Sequence, residues 1–329
     1  MTARVSPSGQ QRREGHPQTQ GDAITDVSRY QDAGLFALLA VVWGAGFTAI
    51  EVGLLHLPPI LFAAFRFDVG AVVTLSALAL LGRLEVPTAR SDWLAVGAAA
   101  LLLVFGNGFL LFVGQRFTTG SIASVVYSLN PVMTAAFAAL LLAGAALEGR
   151  DYVGLLLGLV GVALVARPDP SASTAAVGES ALGALLIFGA VLAVSSGSVL
   201  VRRFDPELSS LPVTGWAMAG GALLFHLVSP AIGEPLTVPV RPETFAAIAY
   251  LGLGGSSLGY GAYFVLLERR GPFTVNLVNY AIPLVATVTG WALLNESLPP
   301  LAVAGFGFIV VGFLVLNRRA VAAELGRFR

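Results

Sequence analysis

Charged residues occur along this chain in short clusters, leaving ten uncharged stretches between them: Gly34–Ile50, Val69–Gly82, Trp93–Gln115, Phe117–Leu147, Tyr152–Ala166, Ala181–Val201, Leu208–Gly233, Thr244–Leu267, Gly271–Asn295 and Ser297–Asn317. Most can supply the ~20 residues that a helix needs to cross a ~30 Å hydrocarbon layer. Val69–Gly82 is too short by itself, and spans only if its helix begins near Pro59 and carries Arg66 and Asp68 into the membrane. Phe117–Leu147 is too long, and is expected to tilt or bend at Pro131. The strict alternation of a barrel strand is absent, and backbone groups in lipid must be satisfied internally. The pattern therefore predicts an all-α integral membrane protein with ten transmembrane helices. Composition agrees, with 56% hydrophobic residues and 12% charged, about half the charged fraction of a soluble domain.

The pattern also repeats. Leu84–Glu85–Val86–Pro87, followed by Arg90 and Trp93, returns as Leu236–Thr237–Val238–Pro239, followed by Arg241 and Phe245, at a spacing of 236 − 84 = 245 − 93 = 152 residues. The same spacing carries Pro131 onto Pro283; a spacing of 151 carries Gly154 and Gly161 onto Gly305 and Gly312, and one of 153 carries Gly44 onto Gly197. Five helices per half is an odd number, so the second half enters from the opposite side and the repeat is inverted. Many secondary transporters are built this way, with a substrate site at mid-depth between the halves. The expected divisions are a disordered cytoplasmic tail over 1–33, repeats over 34–167 and 183–318, an extracytoplasmic linker over 168–182 and a cytoplasmic tail over 319–329. No apolar core follows the amino-terminal charges closely, so the first helix is expected to target the chain to the membrane itself.

Arginines set the orientation. With the amino terminus in the cytoplasm, fifteen arginines lie in inside segments, and only Arg116, Arg167 and Arg241 lie in outside loops. Both termini are thus expected in the cytoplasm of a multi-pass protein of the cell membrane. The absence of cysteine excludes disulfides, thiolate metal sites and cysteine nucleophiles, and the absence of lysine excludes a phosphate-loop lysine or Schiff base. The three histidines, His16, His56 and His226, show no shared metal spacing. No metal, cofactor or nucleic acid is expected; the partners are a small-molecule substrate and the lipid bilayer, and the oligomeric state stays open.

Polar residues inside a bilayer are costly and mark candidate sites. Arg66 lies about 10 Å below the outer end of the second helix, seven residues at 1.5 Å each, and Glu51 stands at comparable depth on the first. The two either pair structurally or contact substrate or protons. Asp68, two residues from Arg66, does not share its face and is a separate coupling candidate. Trp43 sits near mid-helix, far from the interface that tryptophan favours, as a cavity wall or as packing. Asn107, Tyr127, Asn130, Ser195, Ser196, Tyr260, Tyr263, Asn276, Asn279 and Tyr280 are the uncharged hydrogen-bonding set, drawn from both halves. Asn276, Asn279 and Tyr280 fall on one helical face and form the expected second-half wall. Glycines four apart, Gly154 with Gly158 and Gly255 with Gly259, read as close-packing strips.

Val42–Trp43–Gly44–Ala45–Gly46–Phe47, the proline-started second helix carrying Arg66, the prolines of Ser128–Leu129–Asn130–Pro131 and Asn279–Tyr280–Ala281–Ile282–Pro283, and Leu294–Asn295–Glu296 together resemble the EamA family of the drug/metabolite transporter superfamily. The resemblance covers about residues 34–318. It implies a ten-helix carrier of small metabolites, often an exporter, working by alternating access. Two departures stand out: Gly144–Ala145 where the family places an acidic residue, and Glu51 near a position often basic. The expected function is a secondary transporter of amino acids or similar polar or amphipathic compounds, and not an enzyme, around a cavity that includes Trp43, Asn107, Tyr127, Asn276 and Tyr280. A lipid-modifying membrane enzyme or a non-transporting scaffold are the alternatives.

Overall fold

The computed structural model describes residues 19–142, 148–166, 174–238 and 240–326. The arginines and His16 of residues 1–18, Gly144–Ala145, Arg167, Pro239 and the last three residues, all used in the sequence reading, lie outside it. Among the described residues there is no strand. The helices are α1 (Thr19–Leu54), α2 (Pro59–Leu80), α3 (Arg90–Gly114), α4 (Gly120–Leu141), α5 (Gly149–Val165), α6 (Thr174–Phe204), α7 (Ser210–Ala231), α8 (Pro242–Leu294), α9 (Pro300–Leu316) and α10 (Arg318–Gly326). Seven of them contain stretches long and apolar enough to cross a membrane: α1 from Tyr30, α2, α3, α4, α6 from Gly178, α7 and α8.

Proline and glycine set the breaks. Pro59, Pro242 and Pro300 each occupy the first turn, where a missing N–H removes nothing from the helix. α8 is 53 residues long but is not one helix: Gly271 takes φ 77° and ψ 175°, a conformation open to glycine, and Pro272 follows it. The segments 242–270 and 272–294 are α8a and α8b below. α4 is stepped just before Pro131, where the Leu129 N–H reaches only the Val126 carbonyl and a second piece, Asn130–Leu141, begins.

Two expected boundaries differ. Helix α1 begins at Thr19, so residues 19–33 are helical where a disordered tail was expected. Its Asp32, only 8% exposed, is tied to Arg269 and Arg270 at the end of α8a, and a polar stretch read alone cannot show such distant partners. Likewise α6 begins at Thr174, which places residues 174–182 of the expected linker in helix.

The bundle is held by exchange between halves. α5 packs on α9 through glycines: a Cβ built on Gly161 would stand 2.6 Å from the Gly305 carbonyl oxygen, and one on Gly305 2.5 Å from that of Gly161. Backbone therefore lies on backbone, as the glycine spacing implied. α2 packs on α7, α3 on α6, and α1 on α8. Glu234, after α7, accepts from the Ile60 and Leu61 N–H groups at the start of α2 (3.0 and 2.9 Å) and from the Ser229 hydroxyl. Glu85, after α2, accepts in turn from the N–H and hydroxyl of Ser209 at the start of α7 (2.7 and 2.5 Å). Each acid satisfies N–H groups that a helix start leaves without an internal partner. The Ser209 hydroxyl and N–H also hold the Glu85 carboxyl below its ordinary range. Wide π-turns occur at matching places, Ala99–Gly106 in α3 and Tyr250–Leu258 in α8a; the first packs on α7 and the second on α2.

Candidate functional site

Where α1, α2, α3, α4 and α8a meet, aromatic residues of both halves surround one cation. The Trp43 indole donates through Nε1 to the Gly255 carbonyl (3.0 Å), a bond from α1 to the π-turn of α8a. Its ring lies 5.8 Å from Tyr260, edge-on, and 5.7 Å from Tyr263. A Cβ on Gly259 would come within 2.5 Å of that indole nitrogen, so the missing side chain at Gly259 is what lets the indole seat against α8a. On the first-half side, the Tyr127 hydroxyl donates to Asn107 Oδ1 (3.0 Å), and Phe47 stands edge-on to Tyr127 at 5.7 Å.

Arg66 points into this group. Its guanidinium carbon lies 4.8 Å from the Phe67 ring and 5.7 Å from that of Phe112. The ionisable groups that bear on it electrostatically are two phenols, Tyr260 and Tyr127. Among the described residues Arg66 forms no ion pair, and its Nε is sealed from solvent without a hydrogen-bond partner. Cation–π contacts contribute on the order of 0.5–2 kcal/mol, against several kcal/mol for taking an ion out of water. Among the described residues the guanidinium is thus left under-compensated.

The expected pairing of Glu51 with Arg66 is not formed. Arg66 projects from α2 toward α8a, because α2 packs on α7 and on the π-turn of α8a and only slightly on α1. Glu51, three residues before the end of α1, instead accepts from the Gly120 N–H at the start of α4 (2.7 Å). Glu296, just beyond α8b, reaches the same turn, accepting from the Gly120 and Ser121 N–H groups (3.3 and 3.2 Å) and from the Ser121 hydroxyl. The two carboxyl groups converge on one donor, the Gly120 N–H. They form a clasp between first and second halves, with Gln115 Nε2 donating to the Phe47 carbonyl (3.0 Å) and Thr48 bonded to Thr289 (2.7 Å) beside it. Asp68 pairs with His226 of α7 at 2.7 Å, and both side chains are about two-fifths exposed.

The remaining candidates separate from the centre. Asn130 meets Ser195 (2.8 Å), joining α4 to α6. Ser196 donates to carbonyls of its own helix, at Leu192 and Ala193. Asn279 donates to the Asn276 carbonyl, and Tyr280 lies on Phe313 of α9 at 4.7 Å, its hydroxyl buried without a partner. No described hydrogen bond or ring contact joins Asn276, Asn279 or Tyr280 to the Trp43 group. Ser121 and Ser256 were not singled out by the sequence, and Gly255 was read only as part of a close-packing strip; the acidic Leu294–Asn295–Glu296 ending was the signal nearest to Ser121.

These features define a class: a polytopic α-helical membrane protein whose related halves enclose a polar, aromatic centre. The chain belongs to the EamA-like transporter family, whose model matches it twice, over residues 33–167 and 181–318. It is 28% identical over 283 residues to the uncharacterized inner membrane transporter YedA of Escherichia coli (strain K12), covering 86% of this chain and 89% of that one. It is 26% identical to a probable amino-acid metabolite efflux pump of Salmonella typhimurium, over 87% of this chain and 94% of that one. A solved crystal structure shares the fold, with a TM-score of 0.62 at 24% identity, over 88% of this chain and 98% of its own.

Proposed function

We propose that the protein is a secondary transporter that exports small amphipathic metabolites, amino acids or similar compounds, by alternating access between its two halves. The observation that carries this reading is the convergence of Trp43, Asn107, Tyr127 and Tyr260, from α1, α3, α4 and α8a, on a half-buried guanidinium that no described residue pairs. A packed structural core has no use for such a centre, whereas a cargo site does. The name of the Salmonella relative, an amino-acid metabolite efflux pump, supports the substrate class.

In this reading α1 to α7, α8a, α8b and α9 are ten crossings in two inverted sets of five. Support comes from the loop contacts, which are those alternating crossings require: Glu234 with the start of α2, and Glu51 with Glu296, on one side; Glu85 with Ser209, Asp32 with Arg269 and Arg270, and Arg318 with Asp151, on the other. Arginine placement makes the second side cytoplasmic. The clasp on α4 is then an outer gate, closed here, and Glu51 and Asp68 are the coupling candidates. Asn130, Ser196, Asn276, Asn279 and Tyr280 are assigned to the path toward the cytoplasm.

The test is counterflow of labelled amino acids in proteoliposomes, alongside thermal stabilisation of the purified protein, since a bound ligand at concentration c raises stability by RT ln(1 + c/Kd). Trp43→Ala and Asn107→Ala are expected to abolish both responses while remaining folded. Unchanged transport in both variants would remove the central region from the pathway.

A further inference from the structure

The unpaired guanidinium also points to what the cargo carries. We propose that Arg66 is the receptor for a carboxylate, so that the transported compounds are amphipathic monocarboxylates, amino acids with apolar or aromatic side chains among them. The inference rests on the central region being where cargo binds.

Three features support it. First, Arg66 presents a planar fork of donors with no acid paired to it among the described residues, and several of its neighbours are rings: Phe67 at 4.8 Å, Phe112 at 5.7 Å, and the phenols Tyr127 and Tyr260. A guanidinium matches a carboxylate with two parallel N–H···O bonds, and rings accept the apolar remainder of such a molecule. Second, the wall facing it is bare. Gly255 stands opposite, and a Cβ there would meet only Arg66 Nη2, at 3.8 Å, so at this position no side chain covers that nitrogen. Next to it the Ser256 hydroxyl is buried without a partner, close to Gly70, one turn beyond Arg66 on α2. Both residues lie in the Tyr250–Leu258 π-turn, a distortion that re-aims side chains and recurs at functional sites. Third, the charge is single. The position of the second half equivalent to Arg66, 66 + 152 = 218, is Met218, which is buried against Gly70. One cation without a symmetric mate fits one anionic group, and does not fit a dianion or a diphosphate. A cationic cargo would face repulsion from the same guanidinium.

The probes are three molecules of nearly one shape: 3-phenylpropionate, its uncharged amide 3-phenylpropanamide, and 3-phenylpropylamine. Binding to the full-length protein in detergent is read as thermal stabilisation and as tryptophan fluorescence, and transport as counterflow in proteoliposomes. The parent is expected to bind the carboxylate at least tenfold more tightly than the amide and to show no response to the amine. Arg66→Met is expected to erase the preference, Arg66→Lys to keep a weaker one, and Gly255→Ala, which leaves Arg66 in place, to weaken carboxylate binding by narrowing the approach. Equal binding of amide and carboxylate by the parent, or carboxylate binding that Arg66→Met leaves unchanged, overturns the inference. The carrier reading fails separately. If the amide and amine exchange across the vesicle as readily as the acid, the protein is a carrier and Arg66 is not its carboxylate receptor. If the carboxylate binds in an Arg66-dependent way and nothing exchanges, the receptor stands and the carrier reading falls.

Discussion

Adding one methyl group at the α5–α9 seam should have opposite effects at two positions two residues apart. In Gly305→Ala the new Cβ meets the Gly161 carbonyl oxygen at 2.5 Å and Val165 Cγ2 at 2.7 Å. Carbon and carbonyl oxygen approach to about 3.3 Å at the closest without strain, so the helices must part by roughly 0.8 Å. A radial gap of that size forfeits a quarter to a half of the dispersion attraction along the contact, and the partner is backbone, which cannot rotate away. The expected cost is about 1–3 kcal/mol, the range for overpacked interiors. Gly307, two residues on, is exposed and has nothing within 4 Å of a built Cβ. There the same substitution removes the conformational freedom of glycine in the unfolded chain at no steric cost, and should stabilise by up to about 1 kcal/mol. Thermal unfolding of both variants in one detergent, with the parent alongside, reads the sign directly. A Gly305→Ala variant as stable as the parent would show that the backbone contact is not what holds α5 to α9, and the reasoning would fail.

Other outcomes follow from the same contacts. Glu234→Ala leaves the Ile60 and Leu61 N–H groups, both on buried residues, without an acceptor and should cost about 2 kcal/mol, with Glu234→Gln recovering part of it; thermal unfolding measures both. The Glu85 carboxyl has its pKa depressed by Ser209 in the folded protein, so its contribution is present above the ordinary glutamate value of 4.5 and is lost as pH falls through the folded value. The small deficit of Glu85→Ala, under about 1 kcal/mol for so exposed a site, should therefore vanish in acid and persist at neutral pH. Because the chain contains no cysteine, single cysteines report sidedness cleanly: in intact cells Leu55→Cys and Ile232→Cys should react with an impermeant maleimide, and Leu84→Cys and Asp205→Cys only after permeabilisation. If coupling runs through Glu51, Glu51→Gln should remove the dependence of counterflow on a pH gradient while leaving gradient-free exchange in place; a retained dependence would exclude it.

Charge-free stretches located the membrane helices because desolvating a charge costs more than any other local preference, and that rule needs no tertiary information. The break between Leu267 and Gly271 was legible for the same reason: Glu268, Arg269 and Arg270 interrupt the apolar run where the chain bends at Gly271. A Glu51–Arg66 pair stayed open as one of two readings because residue counting gives depth in the bilayer and not direction around the helix. Chain neighbours α1 and α2 scarcely touch, while α2 spends its faces on α7 and α8a, so Arg66 and Glu51 at comparable heights look different ways. The π-turns were hidden for another reason. Tyr250–Leu258 and Ala99–Gly106 share no residue pattern, and one extra residue per turn is set by what the neighbouring helix presses against. Of the site, Trp43, Asn107, Tyr127, Tyr260 and Arg66 were visible as polar groups out of place in an apolar run. Gly255 and Ser256 were not, since a bare wall and an unpartnered hydroxyl only acquire meaning opposite a guanidinium.

The acid caps exchanged between halves bear on how the chain is made. Ile60 finds the acceptor for its N–H in Glu234, 174 residues downstream, and Ser121 finds its own in Glu296, 175 residues downstream. When α2 and α4 leave the ribosome, neither acid has been synthesised, so both helices enter the bilayer with starts that later chain must complete. The first half is thus an unfinished object until translation is nearly over, dependent in the interval on water at the surface or on the insertion machinery. Glu85 waits in the opposite sense, an acid made early that holds the start of α7 as soon as Ser209, 124 residues on, arrives. The two halves are in this way dependent on each other during biogenesis, since removing either would uncover helix ends that the other caps.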